Sequence, residues 1–195
     1  MYLLVYVDDI LLTGNNNTQL NELIQKLQQR FNLKQLGVAH HFLGIKIRSL
    51  PDKLFLSQAH YAQSIINQAN LGKCNSVANP SCTKQLIDCL ALDLLSDPKL
   101  YRRITGALPN LTITRPDIAY AVNMLSQHMH DPTNTNAHQL KRLLRYIQGT
   151  HNFDLPITNS NLQLQTFSDA DWAGDPITRR STSGYCTFLG DTLVS

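Results

Sequence analysis

Two adjacent carboxylates, Asp8 and Asp9, interrupt an otherwise apolar opening stretch, and no other feature restricts this 195-residue chain as tightly. Leu3, Leu4, Val5, Tyr6 and Val7 lead in, and Ile10, Leu11 and Leu12 lead out. Two apolar runs joined by a two-residue connection predict a β-hairpin with Asp8-Asp9 at its turn, since Asp tolerates turn backbone. Neighbouring like charges repel, and an apolar setting disfavours charge, so the pair needs compensation. Divalent metal is the natural partner: two hard cations about 4 Å apart can activate a 3′-hydroxyl and stabilise a leaving pyrophosphate. A bare Asp-Asp would read as an ordinary exposed turn; the apolar flanks tip the reading toward metal.

Composition narrows the class. Apolar residues make up 43% and charged residues only 16%, enough for a core and against disorder. The net charge of +3 fits a nucleic-acid partner and equally other anionic substrates. Cys74, Cys82, Cys89 and Cys186 include no Cys-x-x-Cys pair, so they read as reduced thiols of an intracellular protein. Met1 to Leu12 lacks a basic leader and is cut by the two Asp residues, so it is no signal peptide. No apolar run nears the roughly 20 residues that span a bilayer, which predicts no membrane partner.

Further along, Leu20, Leu23, Ile24, Leu27 and Phe31 predict an amphipathic helix over about 18–31. Phe42–Arg48 and Leu54–Leu56 predict a second hairpin turning at Pro51-Asp52, and Ser57 reads as the cap of a helix reaching about Ala69. Residues 71–95 carry weak signals and read as a loop or linker. Asp97-Pro98, Arg115-Pro116 and Asp131-Pro132 mark three helix starts, the last helix ending at Gly149. In that helix Leu140, Leu143, Leu144 and Ile147 form the apolar stripe, while Lys141, Arg142 and Arg145 form either a solvated basic face or a phosphate-facing surface. From Leu162 the pattern turns to strands, Gln163–Phe167 and Gly184–Leu189.

Several of these segments together resemble the Pol polyprotein of copia-type LTR retrotransposons. Tyr6-Val7-Asp8-Asp9 with Ile10 to Gly14 is similar to the palm hairpin of its reverse transcriptase. Phe42-Leu43-Gly44-Ile45 with Leu54 to Gln58 resembles the segment at the primer grip. Leu100-Tyr101-Arg102, Thr114 to Ile118, Lys141 to Tyr146 and Gly149-Thr150 resemble the stretch joining polymerase to ribonuclease H. Ser168 to Asp175 and Arg179 to Tyr185 resemble the opening of ribonuclease H.

The resemblance implies an α+β fold. Residues 1–95 would be a partial palm and thumb, 96–160 a helical connection, and 161–195 the first strands of a truncated ribonuclease H sheet. It implies Asp8 and Asp9 as polymerase metal ligands, Mg²⁺ or Mn²⁺ as cofactor, and Phe42, Leu43 and Gly44 as residues that seat the primer terminus. Asp169 would be the first carboxylate of the ribonuclease H cluster, with Asp171 as substitute, and Trp172 a partly buried anchor. RNA template, DNA primer and RNA–DNA hybrid follow as partners, with remaining Pol segments. The parent element would work in a cytoplasmic particle or the nucleus.

The same resemblance predicts incompleteness. Its polymerase uses a third Asp on a strand upstream of the hairpin, and its ribonuclease H uses a Glu after the opening strands, whereas Glu22 is the sole Glu here. Loss of metal ligands removes most of the electrostatic catalysis, so the fragment is expected to be inactive alone. Departures from the pattern, Val38 after Gly37 and Pro109-Asn110 where the family shows Gln-Tyr, suggest a decayed copy. Two other functions compete. A non-catalytic module could hold template-primer or hybrid on its basic helices. An unrelated metal-dependent hydrolase would need His or Asp partners, and the seven His residues show no metal-binding helix spacing.

Overall fold

The structure, a computed structural model, describes residues 1–81, 97–174 and 179–195. It is mixed α/β, compatible with the expected α+β class, and divides into two compact units, Met1–Ile47 and Arg48–Ser195. Cys82, Cys89, Asp175 and the boundary expected at residue 95 lie outside the described residues. Among those described, no helix is long and apolar enough to cross a membrane.

The first unit opens with β1 (Tyr2–Tyr6) and β2 (Asp9–Thr13), an antiparallel pair with Tyr6 opposite Asp9. The turn is therefore Val7-Asp8, one residue earlier than the expected Asp8-Asp9. A strand with one polar face has its register pinned by alternation. These strands are apolar on both faces, so a one-residue slip still pairs apolar with apolar, and the sequence pattern could not choose. Helix α1 (Asn17–Arg30) starts where Asn16 accepts hydrogen bonds from the Thr18 and Gln19 amides at 3.0 and 3.2 Å. Its stripe of Leu20, Leu23, Ile24 and Leu27 is only half-buried, and no residue of the helix is fully buried. Strand β3 (His41–Phe42) then pairs with β4 (Ile45–Ser49), which carries the chain into the second unit. The strand expected over Phe42–Arg48 is thus broken. Leu43 (φ 49°) and Gly44 (φ 79°) are both left-handed, the backbone of a tight two-residue hairpin turn.

The second unit holds the hydrophobic core. Strand β5 (Lys53–Ser57) follows a turn closed by the Leu50 amide donating to Lys53 O at 2.8 Å. Ser57 ends this strand instead of capping the next helix. The capping position of α2 (Ala59–Gln68) is Gln58, whose side chain accepts from Thr114 Oγ1 at 2.9 Å. Helix α3 (Pro98–Leu111) begins as expected, Asp97 accepting from the Leu100 amide at 3.0 Å. A 3-10 turn (Pro116–Ile118) leads into α4 (Ala119–Ser126), shorter than the helix expected to about Met129. Helix α5 (Asn134–Thr150) starts with a capping box between Thr133 and Asn136.

These helices pack their stripes together. Ile65 and Ile66 of α2, Ile104, Leu108 and Leu111 of α3, Val122 and Leu125 of α4, and Leu143, Leu144 and Ile147 of α5 are each at most 4% exposed. Burying each such side chain contributes roughly 1.5–3 kcal/mol.

Strand β6 (Leu155–Thr158) pairs antiparallel with β5, placing Pro156 opposite Phe55. Sequence reading missed it because proline donates no ladder hydrogen bond and demotes a strand signal. Strand β7 (Leu164–Ala170) pairs with β8 (Ser183–Leu189), and β8 with the short β9 (Thr192–Leu193). Buried Thr192 clasps β9 to β6: its Oγ1 accepts from the Thr158 amide at 2.9 Å.

Pro109 does lie inside α3, near its C-terminal end and exposed. It leaves Thr105 O without its i+4 amide donor. Pro109→Gln restores that donor and should stabilise the chain by about 1–3 kcal/mol, raising the thermal midpoint by several degrees. An unchanged midpoint in a calorimetric scan would remove the strain account.

Candidate functional site

The Val7-Asp8 turn is built from a conflict. Val7 is left-handed (φ 48°), a conformation that β-branched residues rarely adopt, and it is 81% exposed. Strain of this kind persists where the surrounding structure over-determines it, and it clusters at functional sites. Asp8 lies at the turn and Asp9 at the head of β2, so the two carboxylates sit consecutively at one end of the ribbon. Both are exposed. The hairpin itself exposes Tyr2, Leu3, Leu4, Val5 and Tyr6, an apolar surface on both faces.

In the same unit, Phe42 is half-buried at the end of β3, while Leu43 is exposed at a left-handed position. An exposed leucine held in strained backbone presents an apolar tip, a second feature that packing alone does not explain.

In the second unit, Asp169 lies on β7 opposite Gly184, exposed. Asp171 does a different job. Its Oδ1 accepts from the Thr182 amide at 2.6 Å, and its own amide donates to Thr182 O at 3.1 Å. Asp171 therefore closes the mouth of the β7–β8 hairpin, and it is a turn residue here. Trp172 is 92% exposed, which overturns the expected partly buried anchor. Trp172 lies past the hairpin mouth, in a turn with no layer above it.

The basic residues of α5 separate. Lys141 is exposed, Arg142 is half-buried, and Arg145 Nε donates to Asn75 O at 2.7 Å. Arg145 thus fastens α5 to the segment after α2 instead of facing a phosphate. Gly149 serves the same junction, because a Cβ there would lie 2.6 Å from Ser76 Cβ.

Sequence reading also missed the roles in Thr114 to Ile118. Arg115 is 2% exposed. Its Nε and Nη2 donate to the Asp117 carboxylate at 2.9 and 2.7 Å. Nη1 donates to Thr150 O and Nη2 to Thr150 Oγ1, each at 2.7 Å. The guanidinium also lies against the Tyr146 and Phe153 rings, 5.8 and 5.2 Å from their centroids. Tyr146 Oη donates to Asp117 Oδ2 at 2.8 Å. Burial by itself would raise the Asp117 pKa. The hydrogen bonds from Arg115 and Tyr146 and the Arg115 charge outweigh it and hold the carboxyl below its ordinary value.

A cleft of about 430 Å³ among the described residues lies between β6 and β9 beside Leu56, Ile157, Thr158, Leu189 and Thr192. Its lining holds no acidic, basic, histidine or cysteine side chain, so it carries no acid–base or metal chemistry.

A family profile described as reverse transcriptase (RNA-dependent DNA polymerase) matches residues 1–83. An uncharacterized mitochondrial protein of Arabidopsis thaliana is 51% identical over the whole chain, which spans 81% of it. The retrovirus-related Pol polyprotein from the Arabidopsis thaliana transposon RE1 is 43% identical over the whole chain, which spans only 13% of that protein. The corresponding polyprotein from transposon TNT 1-94 of Nicotiana tabacum is 32% identical over 98% of the chain and is covered over 15% of its own length. No solved structure matches.

The Asp117 cluster sets an acid limit on stability. Its folded pKa lies below the unfolded value of about 3.9, so the ionised carboxylate stabilises the fold above that value. The contribution is lost as pH falls through the folded pKa. Asp117→Asn should therefore lower the melting point at pH 6 and narrow the gap between pH 6 and pH 3. A gap of unchanged width would show that Asp117 is not the linked group.

Proposed function

This chain belongs to the reverse transcriptase family of retrotransposon Pol polyproteins, and from that premise we propose that it is a fragment of an RNA-directed DNA polymerase and ribonuclease H that is inactive alone. One observation carries the reading: a Tyr-Val-Asp-Asp hairpin with its carboxylates at a strained turn, inside the stretch matched to reverse transcriptase. In this reading residues 1–95 derive from palm and thumb, 96–160 from the connection, and 161–195 from the first ribonuclease H strands. Asp8 and Asp9 would be polymerase ligands, Asp169 the first ribonuclease H ligand, and Phe42, Leu43 and Gly44 the primer-seating tip. The parent protein would act on RNA template, DNA primer and their hybrid, beside other Pol segments.

Mg²⁺ or Mn²⁺ would supply the electrostatic stabilisation, and Asp8 and Asp9 offer the hard oxygen donors these ions prefer. Among the described residues no group of three or more His, Cys, Asp or Glu is gathered. The binding-module reading draws on exposed Lys141, with half-buried Arg142 beside it, but loses Arg145 to the Asn75 carbonyl.

Primer extension on an RNA template with Mg²⁺ or Mn²⁺, comparing the chain with its Asp8→Asn, Asp9→Asn double variant, tests this. The expected result is no extension by either protein. Extension that vanishes in the variant would mean that further carboxylates complete the site, and the inactivity would be wrong.

A further inference from the structure

The five residues of β1, Tyr2-Leu3-Leu4-Val5-Tyr6, read nearly the same in both directions about Leu4. They form one strand of a two-stranded sheet, so among the described residues the edge of β1 away from β2 has no strand beside it. All five side chains are exposed, between 47 and 78%. An unpaired strand edge templates pairing with another chain, and folded proteins guard such edges with charge, proline or a bulge. β1 holds no charged residue and no proline, and its pairing with β2 runs unbroken from Tyr2 to Tyr6. The opposite edge of the ribbon is better guarded: β2 opens with Asp9, and its Leu11 and Leu12 are half-buried.

The near-palindrome says which chain fits that edge. Two copies of β1 laid antiparallel about a two-fold axis at Leu4 set Leu4 opposite Leu4, Leu3 opposite Val5 and Tyr2 opposite Tyr6. All five residues pair, and a slip in either direction leaves part of each strand unpaired. Opposed residues of an antiparallel pair share a face, so the rows of β1 and β2 continue in kind across the joined sheet. On one face Leu11 and Leu4 run into Leu4 and Leu11 of the second copy; on the other, Leu12 and Leu3 run into its Val5 and Ile10. An aromatic pair closes each end. The two Asp8-Asp9 turns fall at opposite ends of the sheet, about 27 Å apart along the strands, so no carboxylates confront each other. A two-fold axis makes the contact self-complementary and closes the assembly at two copies.

We propose that β1 is a homodimer interface: the chain pairs β1 antiparallel with β1 of a second copy, centred on Leu4, into a continuous four-stranded sheet. The inference rests on the hairpin edge alone and is independent of the polymerase reading. Five residues a side is far below the roughly 20–30 of a standard interface, so the dimer is weak and forms in the micromolar range.

Sedimentation velocity of the full chain at about 5 and about 500 µM should show a reversible passage from monomer to dimer. Amide hydrogen exchange at the same two concentrations should slow at the β1 amides that β2 leaves free. Leu4→Lys and Leu4→Glu each set like charges across the two-fold axis, and each should weaken self-association about tenfold or more. Mixing the two variants sets opposite charges across the axis and should restore the dimer, a rescue specific to position 4 facing itself. Leu4 is exposed, and unchanged melting points at the lower concentration check that each variant is folded. Hydrogen exchange of the unsubstituted chain needs no variant. A monomer at the higher concentration overturns the proposal and leaves the edge to a different protein. A dimer whose β1 amides exchange as in the monomer overturns it too, as does a mixture of folded variants that stays monomeric. Species larger than the dimer would overturn the closed two-fold arrangement. None of these results bears on primer extension.

Discussion

A buried guanidinium organises the second unit. Arg115 sits in the interior with nearly all its water removed, a cost that only dense hydrogen bonding offsets. It meets that cost by joining elements distant in sequence: Asp117 in the turn before α4, and Thr150 at the end of α5. The Thr150 carbonyl, which also accepts from the Phe153 amide at 3.0 Å, stands at a helix C-terminus, where a cation is favoured. Thr114, one residue earlier, reaches back to Gln58 at the head of α2. Two consecutive residues thus lock three helices into one arrangement, and the apolar stripes fill the space between.

Other cations repeat this use. Arg102 donates to Met129 O and His130 O at 2.8 and 2.9 Å, finishing the segment after α4, and Arg145 ties α5 to Asn75. Three arginines, Arg102, Arg115 and Arg145, are therefore spent on the chain's own carbonyls. This is why net charge was a poor guide to ligand binding.

The residues singled out from the sequence outside the core lie in different physical surroundings. Asp8, Leu43 and Trp172 sit at or beside turns with left-handed non-glycine backbone, on hairpins whose side chains are largely exposed. The core is helical and dry, while the chemistry-bearing positions are on ribbons at the surface. That division is the usual one between a packed scaffold and the loops it carries.

Local signals made the helices legible. The stripe Leu20, Leu23, Ile24 and Leu27, the Asp97-Pro98 start and the stripe Leu140, Leu143, Leu144 and Ile147 each act within a few turns, so reading along the chain found them. The Asp-Asp hairpin was legible as a motif, because adjacent carboxylates amid apolar residues are chemically costly anywhere. Its register was not, nor was β6, nor the burial of Arg115, nor the exposure of Trp172. The strand and the arginine depend on partners far along the chain: β6 on β5 across roughly a hundred residues, and Arg115 on Thr150. Periodicity and capping determine what a segment can become. Only tertiary contact decides which polar group is desolvated and which apolar one stays wet, since burial is a property of what packs on top.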